Sequence, residues 1–167
     1  MKDLPSRRRD EPMVSHDLID FQIRRGGPAD VALIREFARQ AYAKWAPLIG
    51  REPFPMSANY DESIQSHRFD LIYQEDELAA LIETIDRKDY LMLENLCVRP
   101  DKQRMGLGRR LLNYVEILAV DLNHKMIRLE TNKLFEGNVS LYLRHGYVID
   151  WEKPINGGVL VHMYKGL

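Results

Sequence analysis

Residues 93–112 read LENLCVRPDKQRMGLGRRLL. An apolar strand ends at Val98, Pro100 breaks it, and a helical pattern opens directly after Gly108. A helix N-terminus leaves its first N–H groups unpaired and carries partial positive charge. Gly106 and Gly108 bring no side chain that would hold an anion away, and Arg104, Arg109 and Arg110 add positive charge. The segment therefore reads as a strand–loop–helix that seats a phosphate or pyrophosphate. Two familiar phosphate loops fit it poorly. A P-loop needs Lys-Ser/Thr after its last glycine, where Arg109-Arg110 stands, and a dinucleotide fingerprint needs a third glycine.

Working upstream, Tyr90 to Val98 is a long strand whose polar exceptions are Glu94 and Asn95. Leu78 to Ile85 and Phe69 to Gln74 are strands joined by the turn Glu75-Asp76-Glu77. Tyr60 to Arg68 forms a short helix, and Ala29 to Trp45 a longer one with Leu33, Ile34, Phe37, Ala38 and Ala41 at helical spacing. Pro47 to Met56, with three prolines and a glycine, is expected to lack regular structure and to lie as a loop over a pocket. Phe21 to Arg25 is a first strand. Downstream, Leu111, Leu112, Val115, Leu118, Ala119 and Leu122 form a strong helical stripe. Met126 to Thr131 is a strand, Val139 to His145 a helix, and Tyr147 to Trp151 and Val159 to Tyr164 the last strands, around the turn Asn156-Gly157-Gly158. This order, β-α-α-β-β-β-α-β-α-β-β, predicts an α/β (α+β) domain with a mixed sheet covered by helices.

The whole chain sets bounds. Its 167 residues suit one domain, residues 20–167, behind a charged leader at 1–19 that carries Arg7, Arg8 and Arg9. The leader reads as an unstructured tail or as a basic arm for a partner, and not as a secretory signal. A formal net charge of −1 gives no general attraction to nucleic acid or to an anionic membrane, and no apolar run approaches the ~18 residues that span a bilayer. The single cysteine, Cys97, excludes an intrachain disulfide and fits a reducing cytoplasm. The histidines show no metal-ligand spacing, so no metal is expected.

The loop Gln103-Arg104-Met105-Gly106-Leu107-Gly108 resembles the coenzyme A signature of the GNAT superfamily of acetyltransferases, Gln/Arg-x-x-Gly-x-Gly/Ala. Val98-Arg99-Pro100 before it is similar to the family's Val-x-Pro, and Leu141-Tyr142 followed by Gly146-Tyr147 to its Leu-Tyr-x-x-x-Gly-Phe/Tyr. The resemblance covers residues 21–167 and implies a mostly antiparallel central sheet flanked by helices. It also implies transfer of an acetyl group from acetyl-CoA to a primary amine, by direct attack on the thioester.

The resemblance further implies that main-chain groups of Leu96, Cys97 and Val98 pair with the pantetheine arm like an added strand. The pyrophosphate is then expected on the amides of Gln103, Arg104, Met105, Gly106, Leu107, Gly108 and Arg109, with Asn138 reaching the pantetheine. An amine must lose a proton before it attacks, and the departing thiolate gains from a donor. Glu94 is the candidate base, and its plain alternative is a structural carboxylate. Tyr142 is the candidate acid, or else a core tyrosine. Asn95 is read as orienting substrate or water, Arg51 and Phe54 as acceptor wall, and Tyr42 and Trp45 as wall or helix packing. Cys97 is read as a small hydrophobe rather than a nucleophile. A small-molecule acceptor is favoured over a peptide amine or a non-catalytic acyl-CoA-binding module. A homodimer through a late strand is expected, because Val159 to Tyr164 needs cover.

Overall fold

The computed structural model describes residues 18–167, so the expected leader falls outside the described residues except for its last two positions. Leu18 is fully buried in the main core, two residues before the expected start of the domain at residue 20. The elements run β1 (Gln22–Arg25), α1 (Val31–Tyr42), two short turns of helix α2 (Ala46–Ile49) and α3 (Phe54–Ser57), α4 (Tyr60–Ser66), β2 (Arg68–Gln74), β3 (Glu77–Asp86), β4 (Leu91–Val98), α5 (Leu107–Asp121), β5 (Met126–Asn132), α6 (Glu136–Arg144), β6 (Val148–Ile155) and β7 (Gly158–Gly166). One sheet of order β1-β2-β3-β4-β5-β7-β6 joins every strand. Its neighbours are antiparallel except β4 and β5, because α5 carries the chain back to start β5 beside the start of β4.

Each face of the sheet has its own core. Leu111, Leu112, Val115 and Leu118 of α5 pack with Ile82, Leu91, Leu93, Ile127 and Leu129. On the other face, Ile34, Phe37, Ala38 and Ala41 of α1 and Tyr60 of α4 pack with Phe69, Leu71, Leu81 and Cys97. A fully buried Leu or Ile contributes about 1.5–3 kcal/mol, so these two stripes carry most of the drive that covers the sheet.

Three expectations need correction. Leu33 lies on the outer side of α1, and the buried stripe starts instead at Val31, one turn before Ile34. The Pro47–Met56 stretch does contain regular turns, because Pro47 and Pro55 stand in the first turns of α2 and α3, where no N–H is needed. The closing strand β7 is not an edge: β5 and β6 flank it, Val161 and Met163 are buried, and β6 is the outer strand. That outer position also admits Pro154, so β6 runs on to Ile155, four residues beyond the expected end.

Candidate active site

The site begins with a fault in β4. In the β3–β4 ladder Glu83 faces Asn95 and Thr84 faces Leu93, which leaves Glu94 as an extra, unpaired residue. Such a bulge bends a strand and shifts its side-chain alternation. Leu91 and Leu93 pack on the α5 side, whereas Cys97 packs on the α1 side and Leu96 and Val98 return to the α5 side. The parallel pairing of β4 with β5 stops at Leu93–Leu129, directly before the bulge, although both strands continue. A gap therefore opens through the sheet between the last halves of β4 and β5.

The free edge of β4 faces this gap. Arg99 N–H donates to Ala79 O at 2.9 Å and Val98 is opposite Ala80, which turns the main chain of Cys97 toward β3 and that of Leu96 and Val98 toward the gap. Val98 O already accepts from Gln103 Nε2 at 2.8 Å, so Leu96 N–H and C=O and Val98 N–H are the groups left for an extended ligand. Cys97, expected among the main-chain contacts, drops out of that set, and its buried thiol donates to Asn95 Oδ1 instead.

Beyond β4 the loop bends back under a side chain of its own. Gln103 ties the loop to the strand end, and Lys44 Nζ donates to its Oε1. Arg104 and Gly106 both have positive φ, and Gly106 at +79° is the N-cap of α5. Gly106 is thus needed for its backbone conformation. Gly108 is needed for a different reason: a Cβ there would lie 2.9 Å from Leu141 Cδ2 of α6. The two glycines serve helix start and helix packing, and the N–H groups at the head of this 15-residue helix face outward beside Arg104 and Arg109. Free strand edge and helix head lie in sequence order for a ligand with an extended arm and a pyrophosphate, and that is the shape of coenzyme A.

The gap widens into a cavity of about 350 Å³ that brings together Glu94, Asn95, Leu96, Asn138, Tyr142, Arg51 and Phe54. β5 contributes Glu130, Thr131 and Asn132, and Ile155 and Leu160 close it from β6 and β7. Tyr142 is 8% exposed and stacks edge-on with Tyr147; its hydroxyl has no hydrogen-bond partner among the described residues. Burial, and then the neighbouring Cys97, raise its proton affinity well above that of an ordinary phenol. Glu94 is also raised, by burial first, while His67 and Arg87 oppose the shift and Glu130 adds to it.

Two residues expected to meet the acceptor, Asn95 and Arg51, line the cavity and also hold neighbouring elements. The Asn95 carboxamide oxygen accepts from Tyr42 OH at 2.8 Å and from the Cys97 thiol, and its NH2 donates to Tyr60 OH. Arg51 Nε donates to Asn156 O at 2.8 Å and its Nη1 to Glu52 O, so it pins the β6–β7 turn over the cavity. Asn132 Nδ2 donates to Gly157 O from the other side. Tyr42, read as wall or packing, does both: it lines the cavity and holds Asn95. Trp45 packs, stacked on Phe135. The reading of the sequence missed Glu83, buried on β3 opposite Asn95 and bonded to His67 Nδ1 at 2.6 Å. Its polar charge inside the apolar run of β3 was the available signal. The described histidines at 67, 124, 145 and 162 each sit within 3.0 Å of a carboxylate oxygen, and no group of three metal-ligand side chains occurs among the described residues.

Comparison with known proteins agrees with this geometry. The sequence model of the acetyltransferase (GNAT) family matches residues 31–147. No curated protein matches the chain in sequence. Among solved structures, the PaiA N-acetyltransferase of Thermoplasma acidophilum in complex with coenzyme A is 18% identical, with a TM-score of 0.74 over 89% of this chain and 100% of that one. The ribosomal-protein-S18-alanine N-acetyltransferase of Escherichia coli is 20% identical, with a TM-score of 0.72 over 87% and 93%. A spermidine N-acetyltransferase SpeG chimera from Vibrio cholerae and hSSAT is also 20% identical, with a TM-score of 0.68 over 88% and 95%. Bulge, gap, helix head and family match coincide along one stretch of chain: the protein belongs to the GNAT acetyltransferase family, an acetyl-CoA-dependent N-acyltransferase.

Proposed function

We propose that the protein acetylates the primary amine of a small molecule, with Glu94 as base and Tyr142 as donor to the leaving sulfur. The observation that carries this reading is that Glu94, on β4, and Tyr142, on α6, line one cavity. Acetyl-CoA supplies an activated acyl group, so that a C–N bond forms as the C–S bond breaks. Leu96 and Val98 would hold the pantetheine by main chain, Asn138 would meet it from α6, and the amides of 103–109 would hold the pyrophosphate. Glu94 accepts the proton that the amine sheds. Its raised proton affinity brings it nearer the working range of a general base than an ordinary carboxylate. The Tyr142 hydroxyl donates a hydrogen bond toward the sulfur. Burial strengthens the phenol's hold on its proton, so Tyr142 stabilises the sulfur anion by that bond and solvent completes the protonation.

A small acceptor is favoured because the cavity, of about 350 Å³, is of small-molecule size, and Arg51 and Asn132 fasten the β6–β7 turn beside it. We place the enzyme in the cytoplasm, where its single buried thiol stays reduced, and propose a homodimer through the outer strand β6, whose Val148, Ile149 and Trp151 are all exposed. Thiol release from acetyl-CoA, measured across small amines and amine-bearing peptides, tests the function. Turnover of small amines with none for peptides is the expected result. Turnover of peptides alone overturns the choice of acceptor, and tight acetyl-CoA binding with no turnover of any amine overturns catalysis.

A further inference from the structure

A second groove, of about 380 Å³, lies on the sheet face that α1 and α4 leave open, and it meets the acyl cavity at Glu94, Met92 and Glu130. Its polarity runs along the strands. Glu94 and Glu130 stand at the end shared with the acyl cavity, and Arg87 and Arg128 further along. The register sets the spacing: Arg128 is beside Met92, two residues before Glu94 on β4 and two before Glu130 on β5. Two residues of strand are about 7 Å. Arg128 is fixed there, bonded to Asp150 at 2.9 Å and lying over the rings of Tyr90 and Tyr164. Arg87, exposed in the β3–β4 turn, has no ion-pair partner among the described residues, yet it is close enough to Glu94 to lower that group's proton affinity. Half-exposed Trp151, stacked on His162 with ring centres 3.3 Å apart, supplies an apolar wall.

The acyl cavity offers no comparable cation. Arg51 is committed to main-chain oxygens of Asn156 and Glu52, and the rest of that roof is Ile49, Pro53, Phe54 and Pro55. We propose that the acceptor is a linear amine bearing a carboxylate roughly 6–10 Å from the reacting nitrogen, an ω-amino acid in chemical class. Its amine sits at Glu94 and Glu130, its methylene chain lies along Met92 and Trp151, and its carboxylate meets Arg87, with Arg128, already paired with Asp150, beside it. A polyamine matches the groove less well, since Arg87 opposes its distal charge.

This rests on the N-acetyltransferase reading, and its test separates the two. Initial rates are measured with linear ω-amino acids of roughly four to eight carbons, with the alkylamines of equal length and with the matching diamines. The expected outcome is a kcat/KM for the best ω-amino acid at least about fivefold above the other two, which is what one partly exposed ion pair supports. Arg87→Ala brings that ratio close to one through KM, with acetyl-CoA affinity as the check on folding. Alkylamines or diamines equal to or better than ω-amino acids, or a ratio untouched by Arg87→Ala, overturn the proposal while leaving the acetyltransferase reading intact. If no amine is turned over, calorimetric titration of the CoA-loaded protein with 6-aminohexanoate decides: binding weakened by Arg87→Ala supports the groove, and no binding overturns it.

Discussion

Glu94 and Asn95 are adjacent polar residues in an apolar strand, and the bulge gives them different tasks. Glu94 is the unpaired extra residue and reaches both cavities, whereas Asn95 is consumed by Tyr42, Tyr60 and Cys97. The polar pair was visible in the sequence, but this division was not, because the partners of Asn95 come from elements 53 and 35 residues away. A base must be ionised to act. The folded Glu94 holds its proton more tightly than an ordinary carboxyl, so kcat is expected to fall as pH drops through a value above the usual ~4.3. Glu94→Gln lowers kcat by about a hundredfold and removes that limb from the pH–rate profile; an unchanged profile would take Glu94 out of the mechanism. Tyr142→Phe lowers kcat by about tenfold or more with little change in the KM for acetyl-CoA, as steady-state kinetics will show. Gly106→Glu sets a carboxylate and a strained positive φ at the head of α5, and calorimetry is expected to find CoA binding lost.

Among the elements, the turn between β6 and β7 is the least replaceable. Gly157 and Gly158 have φ of +85° and +135°, and a Cβ on them would stand 2.6 Å from Ile49 O and 2.5 Å from Asn132 Oδ1. Gly158→Ala therefore strains the turn and pushes it from its seat. Thermal or urea unfolding is expected to show a loss of about 1–3 kcal/mol, with a rise in KM for the acceptor rather than for acetyl-CoA. The entry to α1 depends on Asp30, whose Oδ2 accepts from Gly27 N–H at 2.9 Å and whose carboxylate is held by both nitrogens of Arg24. The Arg24 bonds hold its pKa below the ordinary value. Its stabilisation is present above the unfolded pKa and is lost as pH falls through the lower folded one, so Asp30→Asn should cost about 1 kcal/mol at neutral pH and little in strong acid. Strands and long helices were legible because their periodicity is local. The turns at 46–57 were not, since three prolines and a glycine argue against regularity until Arg39, Glu52 and Arg51 are seen to tie the stretch to α1 and to the β6–β7 turn.

At the scale of the molecule, the order of elements and the loop that opens α5 were readable, and membership of the family followed from them. The place of β7 inside the sheet was not readable, because strand order is decided by which edge a returning strand meets. The outer strand β6 is the consequence, and with Val148, Ile149 and Trp151 exposed along it a dimer through that edge is expected to appear in sedimentation. Trp151→Glu should shift it to monomer.

The seam between β4 and β5 carries a further implication for motion. Among the described residues, only the Leu91–Ile127, Met92–Arg128 and Leu93–Leu129 pairs join the two halves of the sheet by strand pairing. The β2–β3, β3–β4, β5–β7 and β6–β7 ladders have seven pairs each, so openings there must break more rungs together. Amide hydrogens on both sides of this line should exchange with solvent faster than those of β2 and β3, and should slow when the donor is bound. A line of few rungs and the proposed reacting centre then lie in one place, so the protein is expected to be most rigid while it holds its donor.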